Sequence, residues 1–145
     1  MTVKIGTEVD LIFSFEDSET RAAVKVGKFY FSFFDIDMAR NAELKGGIER
    51  ITASGFTSYT LENNTELDTP GGVSVDPASP SKLQGTFQAT AVGNGGDNPN
   101  DPMRLTTQQK RRSVTFVFDD VSSFKMKLEA TPCSFTWAGC KTKDG

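Results

Sequence analysis

Apolar and polar residues alternate with a period of two along almost the whole chain, and phenylalanine fills many of the apolar positions. Leu11, Phe13 and Phe15 alternate with polar residues, and Phe87 and Ala89 do the same further along. Successive side chains of a strand point to opposite faces, so this pattern predicts strands that bury one face. About eight such segments, spaced roughly ten residues apart, predict an all-β fold. We expect a two-sheet antiparallel β-sandwich of the jelly-roll or Ig-like type.

Several segments carry more specific predictions. Residues 29–34 (FYFSFF) are apolar on nearly both faces, which predicts a central strand. Residues 113–118 and 124–128 predict a hairpin whose turn lies at residues 119–122. Residues 35–47 predict a long polar loop, and residues 62–82 predict turns with one short strand around 73–75.

Two single-residue patterns mark a bulge and a helix. Residues 48–53 and 58–61 predict either a strand pair or one strand bent at a bulge at Gly55. Thr106 and Gln109 have the spacing of a capping box, in which each side chain satisfies a backbone N–H. This spacing predicts one short helix near residues 104–112.

The chain has the length of a single domain. Its 145 residues suffice to bury a core, and 12 of them are Phe, which brings much apolar area and no polar atom. We predict a sandwich domain over residues 1–132 and a Cys/Trp tail over residues 133–145. No apolar run approaches the roughly 20 residues of a transmembrane helix, so no such segment is predicted.

The composition excludes several classes of function. Histidine is absent, which removes Ser-His-Asp catalysis, histidine general bases and histidine-ligated zinc. Two cysteines cannot form a four-thiolate metal site. The net charge of −3 and the pI of about 5.0 argue against a nucleic-acid surface. Any bound metal would therefore be a hard cation held by oxygen.

Asp35 and Asp37 directly follow the strand of residues 29–34. Side chains two residues apart on a strand point the same way, so we expect the two carboxylates to be neighbours. A calcium ion relieves the repulsion between such carboxylates and accepts oxygen ligands. The alternative is a solvated acidic turn without a metal.

The segment 93–102 (GNGGDNPNDP) is the second acidic connection. Its Asx residues lie in a loop bent by two prolines, which suits the irregular coordination of calcium. The spacing is neither that of an EF-hand nor that of a dinucleotide-binding loop. The alternative is an Asx-turn loop that launches the helix. We expect both acidic segments at one rim of the sandwich, with these candidate metal ligands: Asp35, Asp37, Asp97, Asn98, Asn100 and Asp101.

Residues 110–112 (KRR) and the C-terminal tail carry further candidates. On a short helix the three basic residues face different directions, so we favour an ion pair of one arginine with an acidic loop over a phosphate site. A disulfide between Cys133 and Cys140 would imply an oxidising compartment. Trp137 lies between them and is a candidate contact for a sugar or a protein partner, the alternative being a lid on the sandwich.

Three segments resemble a recurring, functionally uncharacterised all-β domain in proteins of marine microalgae, namely diatoms, haptophytes and dinoflagellates. They are residues 28–37 (KFYFSFFDID), residues 54–59 leading to 64–67, and residues 97–103 followed by Arg112-Ser113-Val114. The similarity covers about residues 7–128, and its most specific part is the loop from Asp97 to Pro102. The resemblance implies an all-β domain with acidic loops at one end, within secreted or plastid-directed chains, and it supplies no catalytic residues.

These observations favour a non-catalytic binding or assembly module, stabilised by calcium, that contributes to a larger protein complex. A photosynthetic-membrane complex of an alga is one such case. We expect a non-cytosolic location, either the plastid lumen or outside the cell. The first alternative is a carbohydrate-binding or adhesion module of a secreted protein. The second is a glycan-active enzyme that uses Asp35, Asp37 or Glu49. We expect no catalysis, because acids at a solvated strand end lack the apolar pocket that raises a carboxyl pKa.

Overall fold

A computed structural model describes residues 3–39, 46–93, 95–96 and 98–132. In this part of the chain nine strands and one helix occur, in the order β1 (Thr7–Ser14), β2 (Phe29–Phe33), β3 (Gly47–Phe56), β4 (Ser58–Thr60), β5 (Leu67–Asp68), β6 (Val73–Asp76), β7 (Ser79–Ala89), α1 (Thr107–Arg111), β8 (Val114–Phe118) and β9 (Ser123–Pro132).

The strands form two antiparallel sheets. The larger has the order β1-β9-β3-β7, and both β5 and β6 pair with β7. The smaller has the order β2-β8-β4. Apolar side chains from both sheets form one core, so the predicted all-β sandwich is confirmed. No helix of the described residues is long and apolar enough to cross a membrane.

Phenylalanine rings from both sheets interdigitate in this core. Phe124 of β9 lies at the centre, with ring centroids 4.7 Å from Phe13 of β1 and 4.3 Å from Phe118 of β8. Phe116 of β8 contacts Phe87 of β7 across the sandwich, with ring centroids 5.2 Å apart. Offset and edge-to-face contacts of this kind add about 0.5–1.5 kcal/mol per pair to the free energy of burial.

Two strand predictions were wrong in their partners. Strands β8 and β9 do not form a hairpin, because β8 belongs to the smaller sheet and β9 to the larger. The turn at residues 119–122 carries the chain from one sheet to the other, and Phe118 and Phe124 therefore meet from opposite sides. Strand β2 is an edge strand of the smaller sheet and not a central one, with Tyr30 69% exposed on its outer side.

Other local predictions agree with the structure. Gly55 has φ +84°, and the β3–β7 register shifts there, as expected of a bulge. Thr106 caps α1, with a complete capping box to Gln109. The short strand β6 lies where predicted, whereas β7 begins at Ser79 inside the predicted turn region.

Phe116 offers a test of the assignment of inner and outer faces. Its side chain is fully buried, so Phe116→Ala should lower the free energy of unfolding by about 3–5 kcal/mol, because a cavity is left in the core. Tyr30→Ala removes an exposed ring from the neighbouring strand and should cost less than about 1 kcal/mol. Urea unfolding of both variants measures the difference. Equal losses would contradict the assignment.

Candidate functional site

A short segment after β2 separates two strands of the larger sheet at one end of the sandwich. Strands β3 and β7 pair from Arg50 and Gln88 onward, and before that point residues 36–39 lie between them. Met38 bridges to Ile48 on one side and to Val92 on the other. We call residues 36–39 the wedge segment. Its Ile36 and Met38 are 3% and 2% exposed, so the prediction of a polar loop at residues 35–47 was wrong for the wedge segment.

Asp35 directs the chain from the smaller sheet into the wedge segment. Its φ of 62° lies in the left-handed region, which aspartate tolerates better than most residues. With the amide nitrogen of Asn98 turned towards Asp35, that amide donates to both carboxylate oxygens, at 3.1 Å from Oδ1. The two acidic segments singled out in the sequence therefore meet at one rim of the sandwich.

Arg112, just after α1, fixes the wedge segment to the neighbouring loops. Its side chain is 5% exposed, and its Nε donates to Glu66 Oε2 at 2.7 Å. Its Nη2 donates to the Val92 carbonyl at 3.0 Å, and its Nη1 lies 3.7 Å from Asp37 Oδ2. The Arg112 carbonyl accepts from the Ile36 N–H at 3.0 Å. One arginine of the KRR run thus makes the structural ion pair that we favoured.

Gly93 completes the packing around Asp37. Its N–H donates to the Met38 carbonyl at 2.9 Å, and a Cβ at this position would overlap the Asp37 carboxylate. The side of Asp37 that faces Gly93 is therefore closed, which leaves Asp37 beside Arg112 and away from solvent on that side.

Three carboxyl groups at this rim have raised pKa values. Burial is the main cause for Asp37, whose pKa rises to about 6, and the charges of Glu49 and Asp35 raise it further against the opposing effect of Arg112. Burial also raises the pKa of Glu49 and of Asp35. Glu49 is held in place because its Oε2 accepts from the Asp37 N–H at 3.2 Å. The expectation that Asp35 and Asp37 lie at a solvent-exposed strand end without surroundings that raise a carboxyl pKa was therefore wrong.

A cavity of about 460 Å³ opens beside this cluster, at the end of the sandwich. Its lining combines inward-facing apolar side chains of both sheets with Asp35, Glu49 and the prolines of the second acidic segment. We call it the rim cavity. It is lined by Val3, Phe33, Phe34, Asp35, Ile36, Glu49, Arg50, Ile51, Pro99, Pro102, Leu128 and Glu129.

The five candidate metal ligands that the structure describes do not converge. Asp35 meets Asn98, but Asp37 is beside Arg112. Asp101 accepts from the Met103 N–H at 2.9 Å and lies 3.8 Å from Arg104, within its own turn. Asn100 is exposed.

Asp97 lies outside the described residues, as do Cys133, Trp137 and Cys140. Over the ranges that the structure covers, no three acidic, histidine or cysteine side chains are placed to hold a metal ion. Calcium binding stays a prediction.

Two residues of this rim were missed in the sequence. Glu66 has no motif around it, and only the fold brings it to Arg112, 46 positions away. Gly93 is one of 13 glycines, and nothing in its neighbours indicates that a carboxylate lies against it. Glu49 was considered only as a carboxylate across the sheet. Strand alternation, which places it on the face of Ile51 and Ala53, could have indicated that it points inwards.

No protein-family model, no curated protein and no solved structure matches this chain.

The raised pKa of Asp37 predicts how stability depends on pH. Between about pH 4 and about pH 6 the folded chain keeps a proton at Asp37 that the unfolded chain loses. The free energy of unfolding should therefore fall as the pH rises through this window, by up to about 3 kcal/mol from this residue. Asp37→Asn should remove this part of the pH dependence, as measured by urea unfolding at several pH values.

The comparison with Asp37→Asn isolates the contribution of one residue, because other carboxyl groups titrate in the same range. Asp10→Asn replaces an exposed aspartate of β1 and serves as the control. If wild type and Asp37→Asn gave parallel pH profiles, the buried position of the Asp37 carboxyl would be contradicted.

Proposed function

We propose that this chain is a non-catalytic binding module that engages a protein partner through the rim cavity and so joins a larger assembly. The observation that carries the proposal is the cavity itself, of about 460 Å³, enclosed between the Asp35 turn and the loop of Pro99 and Pro102. Its volume falls within the range of about 300–1,000 Å³ that is typical of ligand pockets. The hydrogen bonds of Arg112 to Glu66 and to the Val92 carbonyl hold the segments behind the cavity, which supports a fixed cavity shape.

The arrangement of the carboxyl groups favours binding over catalysis. Asp37 has a pKa of about 6, within the range useful to a general acid, but it is beside Arg112 and does not line the cavity. Asp35 and Glu49 do line it. These two support the second candidate, a carboxylate-dependent glycan-active enzyme, for which loss of activity in Asp35→Asn would be the test. A carbohydrate-binding module remains the other alternative.

The assembly proposal is tested by blocking the mouth of the cavity. In an extract of its native cells the tagged wild-type chain should elute from gel filtration well above its own mass of 15.8 kDa, whereas the purified chain alone should not. Pro102→Trp should shift the chain to the elution volume of the purified chain alone. Pro102 is exposed and lines the cavity, so a tryptophan ring at this position would block the opening. Met103→Trp is the matched control, since Met103 is 89% exposed and does not line the cavity. A wild-type chain that elutes free contradicts the proposal.

Calcium is the cofactor that we propose for this rim, where it would take oxygens from Asp35 and, once the Asn98 amide turns over, from Asn98 of the second loop. Calcium should then raise the melting temperature relative to a chelator, with a gain of about 2.7 kcal/mol at a hundredfold excess over Kd. Asp35→Asn should abolish this gain, and Asp10→Asn should keep it. An unchanged melting temperature of the wild type with calcium contradicts the cofactor proposal alone.

A further inference from the structure

The rim cavity is divided into an apolar part and an acidic part. Phe33 comes from the inner face of the smaller sheet, while Ile51 and Leu128 come from the inner face of the larger one, where they are cross-strand partners. These three form an apolar floor. Asp35 and Glu49 line the same cavity. Glu49 lies two residues before Ile51 on β3, so strand alternation places both side chains on the inner face.

The protein supplies little positive charge to this acidic part. Arg112 is engaged by Glu66, by the Val92 carbonyl and by Asp37. Arg50 lines the cavity and makes no ion pair with any described residue, and its Nε is buried without a hydrogen-bond partner there. Three acidic residues of the same lining, Asp35, Glu49 and Glu129, outnumber this one cation. Burial raises the pKa of Asp35 against the opposing charge of Arg112, and it raises the pKa of Glu49 against the hydrogen bond from the Asp37 N–H.

We propose that the rim cavity receives a lysine or arginine side chain of the protein partner, with its alkyl stem on the apolar floor and its cation between Asp35 and Glu49. This inference rests on the proposed function and names the chemistry of its occupant. Lysine and arginine side chains combine an apolar stem with a charged end, which matches the two parts of the cavity. The calcium ion proposed for Asp35 would compete with this cation, so the peptides are titrated in the presence of a chelator.

The probes are capped tripeptides that carry lysine, arginine or norleucine at the middle position. Norleucine has the apolar stem of lysine without the charge. Two-dimensional amide NMR detects weak binding and locates it. We expect the two basic peptides to shift the backbone amides of Asp35, Glu49 and Ile51, and the norleucine peptide to bind about tenfold more weakly or less, because it forms no charge-assisted hydrogen bond.

Variants of the two acidic residues provide the second arm. The double variant Asp35→Asn with Glu49→Gln keeps the size of both side chains and removes their charges. It should lower the affinity for the two basic peptides about tenfold. Asp10→Asn should leave binding unchanged, and the amide spectra report whether each variant is folded.

The outcomes separate this inference from the proposal on which it rests. Equal binding of the norleucine peptide would overturn the cationic occupant and leave the cavity as a partner site. If no peptide binds but Pro102→Trp releases the chain from its assembly, the cationic occupant is likewise overturned and the cavity stays a partner site. If no peptide binds and Pro102→Trp has no effect on the assembly, both ideas fail.

Discussion

The contact of phenylalanine rings across the two sheets is the interaction on which the rest of the structure depends. Phe124 touches rings from β1, β2 and β8, so that one residue of the larger sheet contacts its own neighbour and two strands of the other sheet. The chain has only 37% hydrophobic residues, and a few large rings therefore supply much of the apolar area that folding buries. Once these rings meet, the ends of the strands and their polar connections are fixed around them.

The rim of the sandwich is built by a different kind of interaction. There the wedge segment parts β3 from β7, and its backbone completes hydrogen bonds to both sides. Arg112 holds this arrangement from behind through Glu66 and the Val92 carbonyl. A buried guanidinium of this kind is costly to desolvate and is retained only with several partners. The hydrogen bonds of Arg112 hold the segments of Glu66, Val92 and Ile36 together.

The sequence predicts the parts of the fold that depend on local pattern. Alternation indicated the strands, Gly55 indicated the bulge, and Thr106 with Gln109 indicated the helix. It did not predict which sheet receives a strand, because a four-residue turn such as 119–122 can close a hairpin or cross between sheets. Whether it crosses is decided by which rings Phe118 and Phe124 meet, and these lie far along the chain.

The same limit applies to the site. The acidic segments were recognised by composition, and the expectation that they share one rim agrees with the contact of Asp35 and Asn98. The pairing of Asp37 with Arg112 and the contact of Glu66 with Arg112 join residues that are far apart in the chain, so only the fold brings them together. Burial of Ile36 and Met38 was also missed, since two apolar residues among polar ones do not indicate a strand-like segment inside a sheet.

The hydrogen bonds on both sides of the wedge segment have a consequence for recognition. A flexible acidic loop would have to be ordered when a partner arrives, and the lost conformational freedom would be subtracted from the affinity. Here the backbone beside Asp35 is already immobilised as part of a sheet during folding. Association of the proposed partner at this end of the molecule would therefore need little rearrangement, and the discrimination between partners would rest on shape and charge that exist before contact.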